Sequence, residues 1–222
     1  MQSGLHILLR LIVLSIPEDP ARALQALSLE TVKLIDQVRS TGARNDALVR
    51  CHEHIAAAIA VLDPCKQVCN ASVNGLGMDR TDSTQRDINQ LLPFSPISGS
   101  CNPVSPPVVF RLEGDEVRGE VSFSSVYAGP PNTVHGGTIA GLFDELLSIA
   151  NIASGRAAYT GSLTIKYHAP TPLNTKVDLH AFCLSRSGRK VKSRGEMRCK
   201  GVLTASAEGL FIVPKQDWPS LV

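Results

Sequence analysis

The residues able to do chemistry gather in one stretch, Val134-His135-Gly136-Gly137-Thr138-Ile139-Ala140-Gly141-Leu142-Phe143-Asp144-Glu145-Leu146-Leu147. A His-Gly-Gly turn leads directly into Ile139, Leu142, Phe143, Leu146, Leu147 and Ala150, spaced as one buried face of a helix. The first turn of such a helix has backbone N–H groups without intrahelical partners at the positive end of its dipole, and glycines let a carbonyl oxygen come close to them. Asp144 and Glu145 follow about two turns later. A stabiliser for a developing oxyanion, and a carboxylate that activates water or attacks directly, are what hydrolysis of an activated carbonyl such as a thioester requires. The two carboxylates lie on opposite flanks of the apolar stripe, each roughly 130° from its centre at about 100° per residue, so only one can serve a given site. Taken alone, these features also fit a capped helix carrying a solvated charge.

A second group of candidates lies on a strand expected over 190–200. Its strict alternation puts Lys190, Lys192, Arg194, Glu196, Arg198 and Lys200 on one face and Val191, Ser193, Gly195, Met197 and Cys199 on the other. A basic face is by itself a solvated sheet surface, but Arg186, Arg189 and Lys190 around the Ser187-Gly188 turn extend the patch and make an anionic ligand such as a nucleotide phosphate plausible. Cys51, His52, His54, Cys65 and Cys69 raise the question of zinc. They contain no CxxC or HxxxH pair, and a helical stretch separates them, so no metal site is expected.

The elements that must position these residues follow from the pattern along the chain. Two helices are expected over 19–39, with Pro20 in the first turn, and over 46–62, stopped by Pro64; they form a hairpin, an α-helical extension over 1–63. Apolar periodicity then disappears, and residues 64–92 read as linker. Pro93, Pro96, Pro103, Pro106 and Pro107 hold an extended lead-in. Strands follow over 108–113 and 116–123, then the glycine-started helix, then strands over 158–168, 176–185, 190–200 and 202–213. Two strands, one long helix and four more strands make an α+β domain over 93–222, an antiparallel sheet with a single helix to cover.

With 222 residues, 43% apolar, 19% charged and a net charge of +2, the chain has an ordinary soluble composition and no bulk charge for nucleic acid. The apolar run over 5–14 lacks a basic n-region and a cleavage site, is interrupted by Arg10, and is too short to span a bilayer. Six cysteines without a secretion signal read as free thiols in a cytoplasmic protein with no stable membrane insertion.

From about Pro93 to Val213 the sequence resembles the hotdog-fold acyl-CoA thioesterases, in particular their PaaI-like and THEM-type branch. In that branch an HGG turn begins the central helix and an Asp nine positions after the His is the catalytic carboxylate, an offset that lands on Asp144. A Thr sixteen residues beyond starts a T-x-x-L strand followed by a Y-x-x-P turn, matched by Thr160-Gly161-Ser162-Leu163 and Tyr167-His168-Ala169-Pro170. The pattern departs at Gly129, where PaaI enzymes carry Asn. The resemblance implies a sheet wrapped around the helix and a homodimer or homotetramer. It implies an interfacial site with Asp144 from one subunit and Thr160 from the other, Asp144 acting as general base or as nucleophile. Gly136, joined by Gly137, would polarise the thioester carbonyl, Thr160 would orient water, and His135 would hold the turn. CoA phosphates would meet Arg186, Arg189, Lys190, Lys192 and Arg194, and Leu142 and Phe143 would line an acyl tunnel. No cofactor is implied beyond the CoA of the substrate, and Glu145 stays the alternative carboxylate. Two other functions fit the same residues: a non-catalytic acyl-CoA-binding module, and a hydratase or dehydratase of enoyl or hydroxyacyl thioesters using His135 with a carboxylate.

Overall fold

The computed structural model describes residues 20–65, 89, 92–155 and 157–215. The apolar run over 5–14 and most of the expected linker lie outside the described residues. The chain divides into two compact units, Met1–Arg86 and Asp87–Val222. In the first, α1 (Pro20–Ser40) begins on the proline that suits a first turn, and α2 (Asn45–Leu62) ends where Asp63, Pro64 and Cys65 tighten into a 3-10 turn. No residue of α2 is buried, and Leu48, Val49, Ile59, Val61 and Leu62 are all exposed.

The second unit contains β1 (Val109–Glu113), β2 (Glu116–Ser122), α3 (Gly136–Ala153), β3 (Tyr159–Tyr167), β4 (Lys176–Ser187), β5 (Lys190–Cys199) and β6 (Val202–Ile212). The strands form one antiparallel sheet in the order β1-β2-β4-β5-β6-β3, and α3 lies against β2, β3, β4, β5 and β6. This is the hotdog fold that the sequence resemblance implied. The alternation expected of β5 is present, with Val191, Ser193, Gly195, Met197 and Cys199 buried under the helix. Lys200 and Gly201, both at positive φ, turn β5 into β6.

Four consecutive-turn residues of α3, Leu142, Phe143, Leu146 and Leu147, have no exposed surface. Burying each contributes about 1.5–3 kcal/mol. The sheet beneath them is kept flat at Gly195, where an added Cβ would sit 3.1 Å from Leu147 Cδ2 and 3.3 Å from Phe143 Cδ1. Leu142 and Phe143, expected to line an acyl tunnel, have no exposed surface and pack in the core between helix and sheet. Deeper along α3, Ser193 Oγ donates to Asn151 Oδ1 in the core, and Asn151 Nδ2 has no partner among the described residues.

Residues 92–107 lie along the outward side of α3. Ile97 packs so closely that a Cβ on Gly141 would come within 2.6 Å of its Cδ1. Buried Tyr127 joins this segment to the glycine turn: its hydroxyl donates to Ser105 O at 2.7 Å, and its own carbonyl accepts from the His135 N–H at 2.8 Å. Burial pushes the Tyr127 phenol up from 10.0 to about 12. The folded chain then holds this proton more tightly than the unfolded chain, so the stabilisation is complete below pH 10 and is lost as pH rises towards 12. The urea midpoint of the wild type is expected to fall more steeply over that interval than the midpoint of Tyr127→Phe, and parallel curves would remove Tyr127 from the alkaline transition.

Candidate active site

The helix start is organised around one backbone group. Val134 N–H donates to Thr171 O, His135 N–H to Tyr127 O, and Thr138 and Ile139 N–H both to His135 O. Gly137 N–H donates to His135 Nδ1 at 3.0 Å, so His135 is the N-cap of α3. An acceptor nitrogen carries no hydrogen, which puts the ring hydrogen of the neutral imidazole on Nε2. Gly136 N–H has no protein partner among the described residues. Gly136 lines a cleft of about 430 Å³ together with Pro130, Val134, Ile139, Tyr167, Ala169 and Pro170, among others. Gly137, expected to join Gly136 in polarising the carbonyl, has its N–H engaged by the His135 cap.

Asp144 and Thr160 meet within one chain. Thr160 Oγ1 donates to Asp144 Oδ1 at 2.7 Å, leaving Oδ2 free for a further partner. The sequence resemblance implied that these two come from different subunits. Instead, β3 returns antiparallel beside α3 after a short turn and carries Thr160 back to its own helix. Glu145 points to the other flank, where Ser98 Oγ of the lead-in donates to its Oε1. The two carboxylates are thus divided between two layers, and Glu145 is engaged away from Thr160.

A β-bulge decides what β3 presents to the helix. Thr160 pairs with Phe211 and Ser162 with Leu210, so Gly161 is the extra residue. Beyond it, Leu163, Ile165 and Tyr167 pair with Gly209, Ala207 and Ala205, whose side of β6 faces the core. Simple alternation would place Thr160 and Tyr167 on opposite faces. The bulge puts both on the helix side, and Tyr167 Oη donates to Gly136 O at 2.9 Å. Neither this bond nor that between Ser98 and Glu145 was visible in the spacing; a glycine inside a strand was the one available signal for the bulge.

The basic residues divide by face. Thr160, Phe211, Val191 and Arg186 are successive partners across β3, β6, β5 and β4, so Arg186 shares a row and a face with Thr160 at about 14 Å, three strand spacings. Lys190, Lys192 and Arg194 lie on the face away from α3, as the alternation along β5 predicts, so they and Arg186 are on opposite faces of the sheet. Arg194 lies 4.0 Å from Glu208, whereas no ion pair forms at Arg186, Arg189, Lys190 or Lys192 among the described residues. Farther out, Lys176 and Glu120 pair at 2.6 Å, which pulls the carboxyl down and pushes the ammonium up. Arg186, Arg189, Lys190 and Lys192 thus form a cluster of positive charge at the β4–β5 turn without ion-pair partners among the described residues. Gly129, where PaaI enzymes carry Asn, lies so close to the turn that a Cβ would fall 2.8 Å from His135 Cα. Among the described residues no three His, Cys, Asp or Glu side chains gather as metal ligands, and no helix is long and apolar enough to cross a membrane.

A family model of the thioesterase superfamily matches residues 131–206. Among solved structures, a thioesterase superfamily protein is 30% identical, with a TM-score of 0.71, over 86% of this chain and 95% of its own. That span exceeds the second unit, so the match takes in part of the helical unit as well. Zebrafish thioesterase superfamily member 2 is 18% identical over 48% of this chain and 81% of its own, with a TM-score of 0.46. A hypothetical thioesterase from Streptococcus pneumoniae TIGR4, solved with coenzyme A, is 16% identical over 49% of this chain and 90% of its own, with a TM-score of 0.46.

The two glycines of the turn serve different ends. A Cβ on Gly136 would meet Tyr167 Oη at 3.5 Å, an ordinary contact, whereas one on Gly137 would lie 3.0 Å from His135 Nδ1 and disturb the cap. In thermal or urea denaturation, Gly137→Ala is expected to be less stable than Gly136→Ala by about 1 kcal/mol, the worth of a typical N-cap. Equal stabilities would show that the cap carries no weight.

Proposed function

The chain belongs to the thioesterase superfamily, and we propose that it hydrolyses acyl-CoA thioesters to a free carboxylic acid and CoA. Membership supports thioester hydrolysis; the substrate and the roles of the residues are our reading. The observation that carries it is the Thr160–Asp144 hydrogen bond, which leaves one carboxylate oxygen available to a water beside a hydroxyl that can orient it. Asp144 takes a proton from water as the water oxygen bonds to the thioester carbon. Gly136 N–H holds the oxyanion. Collapse breaks the C–S bond, and the departing sulfur takes up a proton to give CoA thiol.

One chain alone does not bring these groups together. Eight residues of helix separate Gly136 from Asp144, about 12 Å along the axis. A donor about 3 Å from the oxyanion and a base about 3 Å from the attacking water fall short of that span. A second copy related by a two-fold reverses the helix direction and offers its Gly136 to this chain's Asp144. The site is then interfacial, as the resemblance implied, but with Asp144 and Thr160 on the same side of the interface. A dimer suffices; a tetramer repeats it.

Arg186, in the same row and on the same face as Thr160, is the proposed contact for the CoA phosphates, reached by the pantetheine arm, with Arg189 beside it at the turn. The acyl carbonyl lies in the apolar cleft at Gly136. Water is the only co-substrate, no cofactor or metal takes part, and the five described cysteines, all free, suit a cytoplasmic setting. His135 is committed to the cap through Nδ1, which favours hydrolysis over a hydratase in which that residue exchanges protons.

A panel of acyl-CoAs scored for thiol release tests the activity and its chain-length preference together. Asp144→Asn is expected to lower kcat by about two orders of magnitude or more with the fold retained, and Glu145→Gln by far less. Unchanged turnover in well-folded Asp144→Asn ends the mechanism. Mixing Asp144→Asn with Gly136→Val tests the shared site: mixed dimers regain one intact pair only when Gly136 and Asp144 come from different subunits, and a mixture that stays inactive after exchange keeps them in one. Arg186→Ala is expected to raise KM with little change in kcat.

A further inference from the structure

We propose that Tyr167 is a positioning residue for this hydrolysis, clamping the Gly136–Gly137 peptide so that Gly136 N–H is presented as the oxyanion donor. The inference rests on the thioesterase reading above. Two adjacent glycines give the turn more conformational freedom than any other pair of residues, and freedom at Gly136 would spread its N–H over many directions. The structure closes that freedom from both sides. On the preceding peptide, His135 O accepts from Thr138 and Ile139 at 3.0 and 3.2 Å. On the following peptide, Gly137 N–H is held by His135 Nδ1 at 3.0 Å, and Gly136 O is held by Tyr167 Oη at 2.9 Å. Both peptide planes flanking Gly136 are thus held: the first carries the Gly136 N–H, which has no protein partner among the described residues, and the second, held by Tyr167, fixes the Gly136 backbone between that N–H and the helix.

Tyr167 reaches this position only through the bulge at Gly161, which turns the end of the edge strand β3 towards the helix. The residue is 55% exposed, more than a side chain held for core packing. Tyr167 and Gly136 line the same cleft, so the hydroxyl holds the backbone beside which the substrate carbonyl of the proposed reaction would sit.

Tyr167→Phe keeps the ring and removes the hydroxyl. With wild-type protein that releases thiol, the variant is expected to lose about tenfold in kcat with KM within about twofold, the split of an interaction that matters in the transition state. Independently of activity, the Gly137 and Thr138 amide hydrogens are expected to exchange about fivefold faster by NMR, with the rest of α3 unchanged. Unchanged kcat in the variant of an active enzyme overturns the proposal, as does an equal rise in KM with kcat retained. Wild-type protein that releases no thiol from any acyl-CoA of the panel removes the hydrolase reading instead. The clamp is then decided by amide exchange alone, and exchange unaltered at Gly137 overturns it.

Discussion

The rotation of α3 about its own axis is the constraint on which everything else at the site depends. Leu142, Phe143, Leu146 and Leu147 are pressed onto a sheet face kept flat by Gly195, and no other rotation buries all four. Once that stripe is fixed, Asp144 and Glu145 must emerge on opposite flanks. The flank nearer β3 meets a threonine hydroxyl, and the flank under the lead-in meets a serine hydroxyl. Two adjacent residues of the same charge type thus acquire different surroundings from packing alone. A catalytic carboxylate in this fold is selected by its neighbours rather than by its own identity.

The same economy governs the helix start. Backbone N–H groups at a helix N-terminus are usually valued as a group, through the dipole and several unpaired donors acting together. Here the Gly137, Thr138 and Ile139 N–H groups are spent on His135, and among the described residues Gly136 alone of the first four keeps an N–H without a protein partner. Selectivity for one carbonyl oxygen in one place follows more readily from one fixed donor than from four mobile ones. The bulge at Gly161 belongs to the same design, since it trades a regular strand for two side chains that face the helix.

The sequence carried a large part of this and lost the rest for identifiable reasons. The helix stripe from Ile139 to Ala150 and the alternation from Lys190 to Cys199 are properties of local period, and both elements lie where the period put them. The offsets from His135 to Asp144 and from Asp144 to Thr160 named the pair that the fold brings together. Spacing could not say that the pair is held within one chain, because that depends on how β3 returns to the sheet. It could not assign faces at the β4–β5 turn, where the shift between Cys183 and Ser185 changes which side Arg186 occupies. It also treated Leu142 and Phe143 as available to a ligand, since a helical period marks a buried face without saying whether a gap lies beneath it.

The two borders of the sheet are treated differently. At β1, the side chain of Asn89 accepts from Phe110 N–H at 2.7 Å and donates to Phe110 O at 3.1 Å, occupying the bonds that another strand would make. At β3, the opposite border, no strand lies beyond, and its residues are largely exposed. An edge strand whose outward backbone groups are taken up by a side chain is guarded against pairing with a further strand, and one without such a cover is not guarded in that way.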